Sequence, residues 1–221
     1  MSQHDTILLF DVDGTLTKPR NVIKPHMLEQ LLCLQSHIPL AVVSGSDYAK
    51  VASQLGGAAE AAKFAYLFSE NGLVVHSYGK QTHCTSIVDC VGDELLQKFI
   101  NYCLAYLSKI WLPKKRGTFI EFRKGLINVS PIGRSCTQEE RDEFDKYDRQ
   151  HGIRQAFVDD MRANFGNYGL QFAIGNLVFF TPIQSGGQIS IDVYPTGWDK
   201  RYCLQFLKKY KTIHFFGDKT E

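Results

Sequence analysis

The chain has 221 residues, a length that suits one core domain with a smaller inserted one. Its hydrophobic fraction of 44% and charged fraction of 22% are typical of a globular protein and argue against disorder. Because 25 basic and 23 acidic residues leave a net charge of only +2, charge gives no case for nucleic acid or an acidic membrane surface as a partner.

The first third of the chain alternates between apolar runs and helical patterns. Strand, helix, strand, helix, strand is the pattern of a doubly wound parallel sheet, in which ligands lie at the carboxyl ends of the strands. The predicted elements are strands at Thr6–Phe10, Pro39–Val43 and Phe64–Phe68, a helix from Pro25, and a helix capped by Ser46 or Asp47 that runs to Gly56.

The middle of the chain predicts an α+β unit with an antiparallel sheet. Its predicted elements are a helix at Asp93–Lys109, a hairpin over Thr118–Pro131, a capping box at Thr137–Glu140, a helix at Ile153–Phe165, and strands at Leu170–Ile174, Leu177–Thr181 and Gln188–Tyr194. A helix near Lys200–Tyr210 and the strand "TIHFF" then return to the first pattern. We therefore predict an α/β core, residues 1–81 and 188–221, interrupted by an inserted cap, residues 82–187.

Two acids follow the first strand in "LLFDVDGTLT". Asp11 and Asp13 repel each other and lose solvation where they are buried, so a cation is expected nearby. Mg²⁺ prefers oxygen ligands and pairs with phosphate, and Asp218 in "FFGDKT" is placed to add a third carboxylate. Asp11 is then the candidate nucleophile at phosphorus, and Asp13 the candidate acid/base. The alternative is a capped turn with two solvated acids.

With "VVSG" and "FFGD" each ending a later strand, "DVDGT" resembles the haloacid dehalogenase-like (HAD) phosphotransferases. In that superfamily the first Asp is the nucleophile and the second the acid/base. The resemblance implies that Ser44 or Ser46, together with Lys200 in "GWDKRYC", binds the phosphoryl group. For Lys200 an ordinary surface position is the alternative.

Arginines within the predicted cap provide candidate ligands for a second phosphate. Such a group carries about −2 of charge, which arginine forks bind in bidentate fashion. The alternative for Arg141, in "EERDEF", is an ordinary ion pair, whereas Arg134 has no neighbouring acid in the sequence.

A closer resemblance, to the eukaryotic phosphomannomutases, rests on "SENG", "RGTFIEFR", "NVSPIGRSC", "GQISIDVYP", "GWDKRYCL" and "HFFGDKT". It implies interconversion of mannose 6-phosphate and mannose 1-phosphate for GDP-mannose synthesis, through an aspartyl-phosphate and a hexose 1,6-bisphosphate. It implies Mg²⁺, glucose 1,6-bisphosphate or mannose 1,6-bisphosphate as activator, and a homodimer paired through the caps. The residues that it places at the phosphosugar are Arg20, Arg123, Arg134, Arg141, Ser190 and Asp192.

The sequence departs from the family pattern at two places. Removing Asn176–Gly186, "NLVFFTPIQSG", would restore an uninterrupted run. The insert is expected to form an extra edge strand or a longer hairpin, or else to come from an unspliced or alternative transcript. The family pattern also continues past Glu221 with a Gly-Gly-Asn-Asp stretch that completes the metal site. A chain that ends at Glu221 is expected to bind Mg²⁺ less well and to be less stable.

Two other functions remain open at this point: a sugar-phosphate phosphatase of the HAD type, and a truncated paralogue that binds phosphosugars without catalysis. The sequence predicts no membrane span, since no apolar stretch reaches roughly 18 residues. The polar start "MSQHD" predicts no secretory signal. The six irregularly spaced cysteines predict free thiols, and together the two features predict a cytoplasmic protein.

Overall fold

A computed structural model describes residues 5–18, 21–174 and 188–218. The strands are β1 (Thr6–Asp11), β2 (Leu40–Val43), β3 (Tyr66–Ser69), β4 (Val74–Ser77), β5 (Lys80–Cys84), β6 (Ile120–Phe122), β7 (Ile127–Val129), β8 (Leu170–Ile174), β9 (Ile191–Pro195) and β10 (Thr212–Phe216). The α-helices are α1 (Pro25–Gln35), α2 (Tyr48–Gln54), α3 (Ala58–Ala61), α4 (Ile87–Val91), α5 (Asp93–Lys109), α6 (Gln138–His151) and α7 (Ile153–Phe165). Short 3₁₀ helices span Glu70–Gly72, Gly166–Tyr168 and Lys200–Leu207.

The chain forms two compact units, Met1–Thr85 with Gly197–Glu221, and Ser86–Thr196. The predicted boundaries, 82 and 187, are both too early. The first would cut β5, which pairs with β4 in the sheet of the first unit. The second would place β9 in the first unit, but β9 pairs with β7 and β8 and completes the sheet of the second. Hydrogen-bonded strand pairing therefore decides both boundaries.

The first unit contains a six-stranded sheet in the order β10-β1-β2-β3-β4-β5. β10, β1, β2 and β3 are parallel, as predicted, whereas β4 and β5 form an antiparallel hairpin at one edge that the sequence analysis missed. The strand order reverses between β1 and β10, and in such sheets this switch point is where a ligand crevice forms. Asp11 ends β1 there.

The sheet of the first unit is covered on both faces, which explains its continuous apolar runs. Along β2, Leu40 and Val42 pack in one cluster with residues of α1 and α2, while Ala41 and Val43 pack in another with residues of the Lys200–Leu207 helix. Successive side chains of a strand point to opposite faces of the sheet. Because both faces are covered here, every position of the strand is buried and apolar.

The second unit contains an antiparallel sheet in the order β6-β7-β9-β8, with α4 to α7. The predicted hairpin is confirmed as β6 and β7, and the predicted capping box as the hydrogen bond from Glu140 N to Thr137 Oγ1. The amphipathic helix predicted at Asp93–Lys109 is confirmed as α5. Across the described part of the chain, no helix is long and apolar enough to cross a membrane.

Two predictions concern residues outside the described ones: the strand at Leu177–Thr181 and the structure of the insert Asn176–Gly186. Near the C-terminal end, the predicted helix is observed as a 3₁₀ helix over Lys200–Leu207, and the predicted strand "TIHFF" is confirmed as β10.

Candidate functional site

Asp11 is buried at the carboxyl end of β1, where 5% of its surface is exposed. Its Oδ1 accepts a hydrogen bond from Val12 N at 2.8 Å, and its Oδ2 accepts one from Lys200 Nζ at 2.6 Å. Burial raises the pKa of the Asp11 carboxyl; Lys200 opposes that rise and the nearby charge of Asp218 adds to it. The site therefore holds an acid that is costly to ionise and keeps a cation against it.

Asp13 is held by a residue that the sequence analysis missed. Gln54, the last residue of α2, donates from Nε2 to Asp13 Oδ1 at 2.8 Å, and the same nitrogen lies 3.4 Å from Thr17 Oγ1. Gln54 is only 3% exposed, and a buried amide needs hydrogen-bond partners. The available signal was an amide in the last turn of a helix whose neighbours, Val51 and Leu55, are apolar.

Gly14 and Asp218 meet beside these acids. Gly14 has φ +87°, and a Cβ there would lie 2.5 Å from Asp218 Oδ2, so only glycine fits. The negative charge of Asp218 also acts on the Asp11 carboxyl and raises its pKa. The structure thus brings two of the three predicted metal ligands, Asp11 and Asp218, to one place, and their oxygen donors suit Mg²⁺.

Asp13, the third predicted metal ligand, directs one carboxylate oxygen to Gln54. Within residues 5–18, 21–174 and 188–218, no three His, Cys, Asp or Glu side chains gather as a metal-ligating group. The observed donor set is accordingly one carboxylate pair, with Asp13 beside it on the same loop. A three-carboxylate site stays a prediction.

The predicted phosphoryl-binding residues lie at the ends of neighbouring elements. Ser44 is buried directly after β2, and its Oγ accepts from Ser46 N at 3.1 Å. Lys200 begins the Lys200–Leu207 helix, and its side chain is 19% exposed because it points to Asp11. A plain surface position for Lys200 is therefore wrong, whereas the choice between Ser44 and Ser46 stays open.

Asn71, in the "SENG" stretch, connects the segments that carry Ser44 and Lys200. Its φ is +62°, its backbone N donates to Ser44 O at 2.9 Å, and its Nδ2 donates to Trp198 O at 3.5 Å. Trp198 lies two residues before Lys200. Asn tolerates the left-handed conformation because its short polar side chain bonds locally, which is the signal that marks this position.

The second unit presents a row of polar residues across its sheet. Glu121 on β6 is opposite Asn128 on β7, and Asn128 is opposite Asp192 on β9. Residues directly opposite in antiparallel strands project to the same face. Asn128 Nδ2 donates to Asp192 Oδ1 at 2.6 Å, which joins two members of the row. The sequence analysis missed Glu121 and Asn128 as site residues. The available signal was a polar residue between apolar neighbours on each strand of the predicted hairpin.

Arg134 lies along this row. Its Nε is 2.6 Å from Glu121 Oε2, its Nη1 donates to Asn128 Oδ1 at 2.8 Å, and Nη1 is 3.4 Å from Ser190 Oγ. No acid neighbours Arg134 in the sequence, and the fold supplies Glu121 from the first strand of the hairpin that precedes it. Burial lowers the pKa of Arg134, Glu121 raises it, and Arg123 with Arg141 lowers it further.

The other predicted phosphosugar residues group around Arg134, with one exception. Arg123 Nη2 donates to Glu121 Oε2 at 2.7 Å, and Arg141 Nη2 donates to Arg134 O at 3.0 Å. Arg141 thus contacts this cluster and makes no ion pair among the described residues, contrary to the alternative for its helix. Ser190, just before β9, and Asp192, on β9, are both buried. Arg20 lies outside the described residues.

Comparisons with known proteins agree on one family. The family model described as eukaryotic phosphomannomutase matches residues 27–221. The chain is 50% identical to a phosphomannomutase from Oryza sativa subsp. indica over 214 residues, covering 97% of this chain and 82% of the relative. It is 51% identical to phosphomannomutases from Galdieria sulphuraria and Dictyostelium discoideum, covering 98% of this chain and 81% and 83% of those relatives.

Solved structures of low sequence identity share the fold. A haloacid dehalogenase-like hydrolase from Bacteroides thetaiotaomicron matches with a TM-score of 0.55 at 14% identity, covering 96% of this chain and 81% of that one. A protein from Eubacterium rectale matches with a TM-score of 0.60 at 13% identity, covering 99% and 83%. These two likenesses bear on the fold alone.

Proposed function

The chain belongs to the eukaryotic phosphomannomutase family, and from that membership we propose that it interconverts mannose 6-phosphate and mannose 1-phosphate through a phosphoryl group carried on Asp11. The activity is that of an isomerase. One observation carries the proposed mechanism: the buried Asp11 at the end of β1, with Lys200 Nζ 2.6 Å from its Oδ2.

Asp11 acts as the nucleophile in this proposal. One carboxylate oxygen forms a bond to phosphorus while the bond from phosphorus to the sugar oxygen breaks, which leaves an acyl phosphate. Lys200 supplies positive charge beside the oxygen atoms on which charge changes, and Ser44 or Ser46 offers a hydroxyl to the phosphoryl group. The pair formed by Asp11 and Lys200 keeps the nucleophile oriented before substrate arrives.

Asp13 acts as the acid/base. It donates a proton to the leaving sugar oxygen in the first half-reaction and takes one from the attacking sugar hydroxyl in the second. Gln54 donates to Asp13 Oδ1 and so helps to orient the carboxyl group. The hexose bisphosphate formed in the second half-reaction returns its other phosphate to Asp11, and glucose 1,6-bisphosphate or mannose 1,6-bisphosphate provides the first phosphoryl group.

Mg²⁺ would be held by Asp11 and Asp218, with Asp13 as the further ligand that the sequence predicts. When bound, it supplies positive charge to the phosphoryl oxygens. The close approach of Asp218 to Gly14 and its like-charge effect on Asp11 support this assignment, because two neighbouring carboxylates are stabilised by a cation.

The cluster of Arg123, Arg134 and Arg141 is proposed to bind the phosphate that is not being transferred. Guanidinium groups recognise phosphate by charge and by paired hydrogen bonds, so they do not depend on which sugar carbon carries it. A mutase needs that tolerance because it accepts its substrate in two orientations. Arg20 is part of the proposal through the family resemblance alone.

We also propose a homodimer that pairs through the second unit. β6 is an edge strand of the four-stranded sheet. Exposed apolar side chains in this unit include Trp111 at 92% and Phe122, on that edge strand, at 49%. Exposed edges and apolar patches favour association with another chain. We propose further that the enzyme acts in the cytoplasm, where its product supplies GDP-mannose synthesis.

The test is a turnover assay of the 221-residue chain with mannose 1-phosphate, Mg²⁺ and catalytic glucose 1,6-bisphosphate. Hexose 6-phosphate and inorganic phosphate are followed separately, with the Asp11→Asn chain as the control. Hexose 6-phosphate without phosphate release supports the proposal. Phosphate release alone would favour a sugar-phosphate phosphatase, in which water reaches the acyl phosphate. Neither product, from a folded chain, would favour a binding protein without catalysis.

A further inference from the structure

The arginine cluster of the second unit contains an acid to which the proposed function gives no role. A single oxygen of Glu121, Oε2, lies 2.7 Å from Arg123 Nη2 and 2.6 Å from Arg134 Nε. We propose that Glu121 is an internal anion that competes with the phosphate of the substrate for these two arginines. It thereby limits how tightly the cluster holds a phosphosugar. The inference rests on the proposed phosphate-binding role of the arginines.

Arg134 does not depend on Glu121 for its position. Its Nη1 donates to Asn128 Oδ1 at 2.8 Å and lies 3.4 Å from Ser190 Oγ, and its backbone N donates to Thr118 O at 2.9 Å. Asn128 is itself fixed by its hydrogen bond to Asp192 on the paired strand. Loss of the Glu121 carboxylate therefore removes one contact and leaves the guanidinium held by the sheet.

The three side chains are accessible to a solute. The Glu121 side chain is 38% exposed, that of Arg123 is 41% exposed and that of Arg134 is 24% exposed. A carboxylate at this exposure has room to turn towards water when another anion takes its place. Ion pairs at such exposure are weak enough for the arginines to exchange Glu121 for another anion.

Phosphate is the stronger anion for this site. It carries about −1.5 to −2 of charge at neutral pH, against the single charge of Glu121, and its oxygens accept from both nitrogens of a guanidinium fork. Substrate therefore displaces Glu121, and Glu121 returns when the phosphate leaves. A mutase benefits from this exchange, because the bisphosphate has to leave the arginines in order to present its other end to Asp11.

The experiment measures phosphate affinity at the arginines themselves. Inorganic phosphate is titrated into the ¹⁵N-labelled full chain in EDTA buffer, and the Nε–H signals of Arg123 and Arg134 are followed by NMR. Glu121→Gln keeps the shape of the side chain and removes its charge. We expect about tenfold tighter phosphate binding, equivalent to about 1.4 kcal/mol. Glu143→Gln is the matched control, because Glu143 lies in the same unit and its ion pair is with Lys114 and not with an arginine of the cluster.

The two possible roles of Glu121 predict opposite signs. An acid that supports the arginines would weaken phosphate binding when neutralised, so an unchanged or weaker affinity in Glu121→Gln would overturn the inference. Tighter binding in Glu143→Gln as well would also overturn it, because bulk charge would then explain the gain. Arg134→Ala tests the proposed function separately. If the natural chain shows no phosphate shift at these signals, or Arg134→Ala keeps full affinity, the phosphate-binding role itself fails.

Discussion

The pair formed by Lys200 and Asp11 allows a quantitative prediction for Lys200→Met. At 2.6 Å and an effective dielectric constant of about 20, the Coulomb attraction is about 6 kcal/mol before desolvation. Desolvation opposes this attraction and outweighs it at Asp11, whose pKa is raised despite the neighbouring ammonium group. We expect phosphoryl transfer to Asp11 to slow by about 10²-fold, because Lys200 also faces the charge that develops in the transition state and loss of one such donor costs about 10²–10³ in rate.

The same substitution shifts the pH dependence in a defined direction. Burial already raises the pKa of Asp11, and Lys200 opposes that rise. Without Lys200 the pKa rises further, so the ionised nucleophile is lost at a higher pH. The acidic limb of the pH–rate profile is therefore expected to move to higher pH. Rapid-quench measurement of the phosphoenzyme formed from acetyl phosphate, at fixed Mg²⁺ and over a range of pH, gives both the rate and the position of the acidic limb.

An exposed ion pair of nearly the same length provides the control. Lys211 Nζ lies 2.7 Å from Asp5 Oδ2, with side chains 77% and 60% exposed. Lys211→Met removes such a pair without touching a catalytic group and is expected to leave the rate unchanged. Lys200→Arg keeps the charge and is expected to restore the acidic limb. A Lys200→Met chain with an unchanged limb and a rate within about threefold of the natural chain would refute the reasoning.

Three further substitutions test the remaining roles. Asp11→Asn should abolish turnover yet raise the thermal unfolding midpoint in metal-free buffer at neutral pH. Because the pKa of Asp11 is raised in the folded state, the folded protein loses stability as the pH rises through that pKa and the carboxyl ionises. Asn stays neutral, so the variant avoids this loss at neutral pH. Calorimetry at neutral and at acidic pH checks that the higher midpoint of the variant disappears in acid. Asp13→Asn should slow transfer from mannose 1-phosphate by about 10²–10⁴, and less from acetyl phosphate, whose leaving group needs no proton. Arg134→Ala should raise the KM for mannose 1-phosphate and leave phosphoenzyme formation from acetyl phosphate unchanged; an equal loss with both donors would contradict its assignment.

The local order of the chain could be predicted from the sequence because it depends on neighbouring residues. The apolar run before Asp11, the capping box at Thr137 and the periodicity of Asp93–Lys109 all correspond to observed elements. Each signal is carried by residues a few positions apart, where periodicity and capping act directly. The candidate residues at the ends of β1 and β2 were predictable for the same reason, since parallel strands end at a common edge.

Contacts between distant segments were decided by the tertiary structure. Glu121 reaches Arg134, Gln54 reaches Asp13 and Lys200 reaches Asp11 through strand pairing and helix placement. Sequence spacing carries no signal for such partners, because two side chains meet across a sheet only once its register exists. The sequence by itself thus determined which residues are equipped for phosphoryl transfer. The fold determined which acid neutralises which base, since that depends on distance and burial.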